Sequence, residues 1–138
     1  MESVASYLPY VDKIVIVDLG STDGTYEILQ QCAQNDRIEV YSRPWDLASG
    51  PSALKTAWEH HREFCAGADV LHIEADEVLD SALGKSIQRL HNSGCDDLRI
   101  IRYQVEQNFQ RIRWGGTPCH RLWPAASEFA ESFALLDT

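Results

Sequence analysis

The sequence predicts an α/β fold, a mainly parallel sheet flanked by helices, and three observations carry that prediction. Ile14, Val15, Ile16 and Val17 form an unbroken β-branched run, the pattern of a strand covered on both faces by other layers. The run stops at Asp18. Gly20, Ser21, Thr22, Asp23, Gly24 and Thr25 follow it as a small, polar turn at the mouth of a helical pattern. Strand-like and helix-like stretches then alternate, which argues for one α/β layer structure.

Taken in order, residues 2–10 read as the end of a helix or a loop, with Pro9 as punctuation. The helix over 23–35 shows Ile28, Leu29, Cys32 and Ala33 at helical spacing. Thr22 or Ser21 suits its cap, and Asp23 and Glu27 suit its positive end. Residues 38–41 make a second short strand, and a loop over 43–50 contains Pro44, Trp45 and Asp46. Pro51 opens another helix, with Leu54, Ala57, Trp58, His61, Phe64 and Cys65 on one stripe and Gly67 at its end. A third strand over 69–73 runs into Glu74, Ala75, Asp76 and Glu77. Asp80 caps a helix over 81–91 with Leu83, Ile87 and Leu90 as its stripe, and Gly94 breaks it. Residues 98–105 alternate as a fourth strand. Beyond them Trp114-Gly115-Gly116 reads as a turn, residues 120–123 as a short strand and 125–138 as a helix.

Composition sets the bounds. At 138 residues, 44% hydrophobic and 9% aromatic, the chain suits one globular domain, with a nucleotide-binding part at about 10–80. A net charge of −9 argues against a phosphate-backbone footprint, so no nucleic-acid partner is expected. No apolar run approaches the roughly 20 residues needed to span a bilayer. The N-terminus lacks the basic start and apolar core of a signal peptide. The expected location is therefore cytoplasmic, with Cys32, Cys65, Cys95 and Cys119 reduced.

The chemistry-bearing residues are carboxylates. Asp18 ends a strand, where ligands bind in open α/β sheets. Glu74 and Asp76, two residues apart at a strand end, point the same way if the chain stays extended. Their repulsion is relieved by a hard divalent cation, Mg²⁺ or Mn²⁺, which completes its shell with phosphate oxygens. An acidic cluster before a helix is also ordinary dipole chemistry. His60 and His61 face different ways on a helix and make a poor metal pair, and His72 reads as a hydrogen-bonded core histidine. The tryptophans read as core or rim aromatics.

Asp18-Leu19-Gly20-Ser21-Thr22-Asp23-Gly24-Thr25, followed by Glu74-Ala75-Asp76-Glu77-Val78-Leu79, resembles the family 2 glycosyltransferases with the GT-A fold. The resemblance covers roughly residues 2–90. His120-Arg121-Leu122-Trp123 is similar to a less specific element of that family. The resemblance implies a GT-A-like domain that uses a nucleotide-sugar donor, a UDP-sugar first among them, and a sugar or glycolipid acceptor. It implies Asp18 beside the base or ribose, with Ser21 and Asp23 shaping that pocket. Glu74 and Asp76 stand in its metal and diphosphate motif, a DxD-like element, with Mg²⁺ or Mn²⁺ as cofactor. Glu77 is a candidate catalytic base, or a capping carboxylate.

Three departures stand out. Glu74 replaces the usual first Asp and shifts the oxygens by about 1.5 Å. Lys55 stands where many relatives have Asn. The chain also begins after the family's usual first strand and is cut short after Trp123. The expectation is a domain truncated at both ends, its gap filled by another segment or by a homo-oligomer. The alternative is an inactive or partial remnant that binds a nucleotide or a partner without turnover. The Asp18–Thr22 stretch is similar to the first phosphate loop of the actin and sugar-kinase fold as well. The helix expected after it argues against that reading.

Overall fold

The computed structural model describes residues 1–44 and 63–95 with their side chains, and the backbone of 98–105 and 112–123. Helix α1 (Glu2–Tyr7) runs into a 3-10 turn, Leu8–Tyr10, that holds Pro9. Strand β1 (Ile14–Asp18), helix α2 (Thr25–Cys32) and strand β2 (Ile38–Ser42) follow. Then come β3 (Val70–Leu71), helix α3 (Ser81–Asn92), β4 (Leu98–Val105) and β5 (Ile112–Trp123).

The expected α/β class and parallel strand–helix–strand unit are present. β1 and β2 pair in parallel, Ile14 opposite Ile38 and Asp18 opposite Ser42. The Ile14 N–H donates to the Arg37 carbonyl and the Asp18 carbonyl accepts from the Arg43 N–H. In a parallel ladder this turns the backbone groups of residues 14, 16 and 18 toward β2, and those of Val15 and Val17 toward the opposite edge. The second half of the chain pairs differently. β3, β5 and β4 form an antiparallel sheet in that order.

One core joins the elements whose side chains are described. Tyr7, Ile14, Ile38, Leu79 and Ile87 are buried, and Val4, Tyr10, Ile16, Val40, Leu71 and Ile73 pack against them. Arg37 closes the turn between α1 and β1, its guanidinium donating to the carbonyls of Leu8, Val11 and Asp12. The carbonyls of Val11 and Asp12 lie outside regular structure, so a side-chain cation satisfies what no ladder does.

Several local expectations change. The third strand is shorter than 69–73, because His72 and Ile73 leave the ladder ahead of a turn at Ala75 and Asp76. Neither Thr22 nor Ser21 caps α2. Gly24 takes that position at φ 83°, a left-handed conformation that a side chain would strain. On α2, Ile28 is 49% exposed, and only Cys32 of the expected stripe packs against the core.

The Asp80 cap of α3 is as expected, Oδ1 accepting from the N–H groups of Ala82 and Leu83. Its buried face agrees with the expected stripe at Ile87 alone. Leu83 and Leu90 are exposed, whereas Gly84 and Ile87 are buried. The ring of Tyr10 lies so close to Gly84 that a Cβ there would fall 2.5 Å from Cδ2 and Cε2. The helix turns its least bulky position to the core because an aromatic ring already occupies that space.

Trp114-Gly115-Gly116 is not a turn but part of β5. Arg102 pairs with Thr117 and Gln104 with Trp114, so the glycine pair sits at a bulge opposite Tyr103. Most of the helix expected from Pro51, and the tail over 125–138, lie outside the described residues.

The packing at Gly84 makes one prediction. In an ordinary helix interior, glycine to alanine stabilises by about 1 kcal/mol. Here overpacking against Tyr10, about 1–3 kcal/mol, works the other way. Gly84→Ala is expected to lower the melting temperature, and Gly84→Ala with Tyr10→Leu to recover part of the loss.

Candidate functional site

Two loops carry the candidate residues. The first leaves the carboxyl end of β1, where Asp18 is only 6% exposed. Its Oδ2 accepts from the N–H groups of Gly20 and Ser21, both at 3.1 Å. Burial pushes its carboxyl up. The hydroxyl of Ser21 and the N–H groups of Ser21 and Gly20 outweigh that and hold it below the usual carboxylate range. Asp18 therefore stays ionised and organises the turn from inside.

Asp23 does the same one step later. Its Oδ1 accepts from the Thr25 N–H at 3.1 Å and the Thr25 hydroxyl at 2.6 Å. These two bonds hold its carboxyl below the usual range. Ser21 and Asp23 are exposed at the mouth of α2, so the three expected pocket residues lie on one short loop.

The second loop links β3 to α3. Glu74 and Asp76 are exposed. The alternation of side chains along a strand does not align them, because β3 ends at Leu71 and the chain turns here. The Glu77 N–H donates to the Glu74 carbonyl at 3.1 Å, and the Glu77 Oε2 accepts from the Glu74 N–H at 2.9 Å. A reciprocal pair thus closes the turn and sets the carboxylate of Glu77 against its base.

Two serines that sequence reasoning passed over fix this loop in place. The buried Ser3 donates its hydroxyl to the Glu74 carbonyl at 3.4 Å. Ser6 accepts from the Leu79 N–H at 2.9 Å and donates to the Ser3 carbonyl at 2.7 Å. The signal was present as two hydroxyls spaced three apart on one face of a short helix. The acidic loop is thereby tied to α1, and Leu79 and Ile73 put it on the core that β1 also buries.

The donor chemistry of this loop is that of hard carboxylate oxygens and not of a closed cage. Glu74 and Asp76 offer hard, exposed oxygens. Among the described residues no group of three or more His, Cys, Asp and Glu side chains is arranged to hold a metal ion. Two carboxylates that leave the remaining positions to water and phosphate are the arrangement Mg²⁺ commonly takes. Among the described residues Cys32 and Cys65 are thiols. No helix among the described residues is long and apolar enough to cross a membrane.

The family model for glycosyl transferase family 2 matches residues 1–135. The chain belongs to that family. No curated protein and no solved structure matches it. Membership in glycosyl transferase family 2 brings the GT-A fold class, and the parallel β1–β2 pair with its helices is consistent with it. It also brings glycosyl transfer as the general activity.

The Asp18 turn predicts a pH dependence. A carboxyl held below its ordinary value stabilises the fold above its unfolded value, near 4, and that stability is lost as pH falls through the folded value. Wild-type stability is expected to drop on acidification through that range. Asp18→Asn should be less stable at neutral pH and show a flatter acid limb, as read by thermal melts from pH 7 to pH 3.

Proposed function

We propose that this domain transfers a sugar from a nucleoside diphosphate sugar, a UDP-sugar first among the candidates, to an acceptor hydroxyl. The observation that carries the reading is the acidic loop at 74–77, hydrogen-bonded to α1 and set on the core that also holds the β1 turn. In this reading the loop over 18–25 receives the nucleoside, within a nucleotide-binding part spanning about 10–80. Asp18 shapes the pocket through the backbone it holds, and Ser21 and Asp23 line it.

Glu74 and Asp76 would hold Mg²⁺ or Mn²⁺ against the diphosphate. When bound, the cation supplies Lewis-acid stabilisation of the charge that develops on the leaving diphosphate. The remaining steps belong to the chain's own residues. Glu77, its carboxylate oriented by the Glu74 N–H, takes the proton of the acceptor hydroxyl. The hydroxyl oxygen forms a bond to the anomeric carbon with inversion as the carbon–oxygen bond to the diphosphate breaks. The nucleoside diphosphate leaves with that electron pair.

One observation favours a second reading, a module that binds a nucleotide or a partner without turnover. Among the described residues β1 is paired along one edge only, so the backbone groups of Val15 and Val17 have no strand beside them. A self-associated form would fill that edge, and native mass reads it directly.

Calorimetric titration with UDP tests the first reading. Saturable, Mn²⁺-dependent binding is expected in the wild type, with a loss of at least tenfold in Asp76→Ala. With a donor in hand, Glu77→Gln should keep nucleotide affinity and lose about 100-fold or more in transfer rate. A loss of only a few fold would make Glu77 a loop-closing carboxylate instead. A folded chain that binds none of UDP, GDP, CMP and dTDP would leave the second reading.

A further inference from the structure

β2 ends beside the Asp18 turn. The Arg43 N–H donates to the Asp18 carbonyl at 2.8 Å, so residue 43 stands next to the carboxyl end of β1. Among the described lysine and arginine side chains, Arg43 is the one at that end of the β1–β2 pair. Lys13 and Arg37 precede the two strands, and Lys85 and Arg89 lie on α3.

The guanidinium is exposed yet held in place. Its carbon sits 5.3 Å from the ring centroid of Phe64, and Nη1 donates to the Ser42 carbonyl at 3.2 Å. Phe64 is itself stacked on Tyr41, with centroids 3.7 Å apart and planes 13° from parallel. Tyr41 donates to Glu39, which also pairs with Lys13. The nearby carboxylates therefore have other partners: Glu39 has Lys13 and Tyr41, Asp18 has its own turn, and Asp23 has Thr25. An arginine lying over an aromatic ring, with no carboxylate among the described residues to neutralise it, presents a pre-oriented fork of N–H donors.

We propose that Arg43 reads the base of the donor nucleotide, and that the base is one that presents carbonyl oxygens, such as uracil. This rests on the donor reading above. The placement decides between the two ends of the ligand. Glu74 and Asp76 follow β3, in the antiparallel sheet, and suit the diphosphate. Arg43 belongs to the other sheet, beside the Asp18 turn, which suits the nucleoside. An arginine has donors only, so it matches an edge of acceptors and mismatches one that offers an amino group. Uracil offers two carbonyl oxygens, one on each side of its N3–H and each able to accept from one guanidinium N–H, whereas the amino group of adenine is a donor.

The test is titration of wild type, Arg43→Ala and Arg43→Lys with UDP, ADP and inorganic pyrophosphate in one Mn²⁺ buffer. Wild type is expected to prefer UDP over ADP. Arg43→Ala should weaken UDP about tenfold, the size of one lost hydrogen bond from a charged group. It should leave pyrophosphate unchanged and abolish the preference over ADP. Arg43→Lys keeps the charge without the planar fork and should behave like the alanine variant. It also carries the comparison if Arg43→Ala fails to fold. Equal losses for all three ligands would make Arg43 a phosphate contact and overturn the inference, as would no loss at all. Wild type that binds neither nucleotide would overturn the donor reading, and this inference with it.

Discussion

The hydrogen bonds from Gly20 and Ser21 to the buried carboxylate of Asp18 are the constraint on which the site depends. A carboxylate removed from water must find its donors nearby or lose its charge. Asp18 finds them in the backbone that immediately follows it, and so converts the end of β1 into a fixed turn. That turn sets where α2 begins, because the chain must reach the left-handed Gly24 before the helix can start. Through the Arg43 N–H, the same residue's carbonyl holds the end of β2. One side chain and its peptide group therefore organise three elements around the carboxyl ends of the parallel strands.

The second loop is positioned by a different device. Nothing in 74–77 is buried as Asp18 is, and its own turn is closed by a carboxylate that reaches back to a peptide N–H. What locates it is α1, a helix of six residues. So short a helix is not stable by itself. It is held by burying Tyr7 on the common core, and it spends two hydroxyls on the loop. Removing a partner from a half-buried peptide group costs about 1–3 kcal/mol, so these contacts bear on the loop's position as well as on stability.

What could be read in the sequence was what local chemistry decides. The β-branched run of β1, the strand at Ile38 and the Asp80 cap depend on neighbours in the chain, and each appears where expected. The family resemblance rested on motifs and was correct. What could not be read depends on residues far apart in the chain. Nothing near Gly84 announces that Tyr10 will fill the space above it, so of the expected stripe on α3 Ile87 is buried and Leu83 and Leu90 are not. The glycine pair at 115–116 carries the chemistry of a turn and that of a bulge alike, and only the register with β4 separates them. The shared direction of Glu74 and Asp76 was argued from a strand that in fact ends at Leu71. The pleat rule was sound and its premise was not. Ser3 and Ser6 went unnoticed because a hydroxyl's role is set by what lies opposite it.

The distribution of charge limits how such a site can hold an anion. The chain carries a net charge of −9, and Asp18, Asp23, Glu74, Asp76 and Glu77 all lie on the two candidate loops. Two like charges about 4 Å apart in water repel by about 1 kcal/mol, and salt screens them only beyond about 8 Å. Near contacts must therefore overcome the repulsion. The backbone donors that a phosphate would seek first are already engaged, since Gly20 and Ser21 serve Asp18 and Thr25 serves Asp23. The loop that in other settings would cradle a phosphate is here closed on its own carboxylates. A diphosphate would then depend on positive charge brought to it by a cation held at Glu74 and Asp76, while the guanidinium of Arg43 would meet the base at the other end.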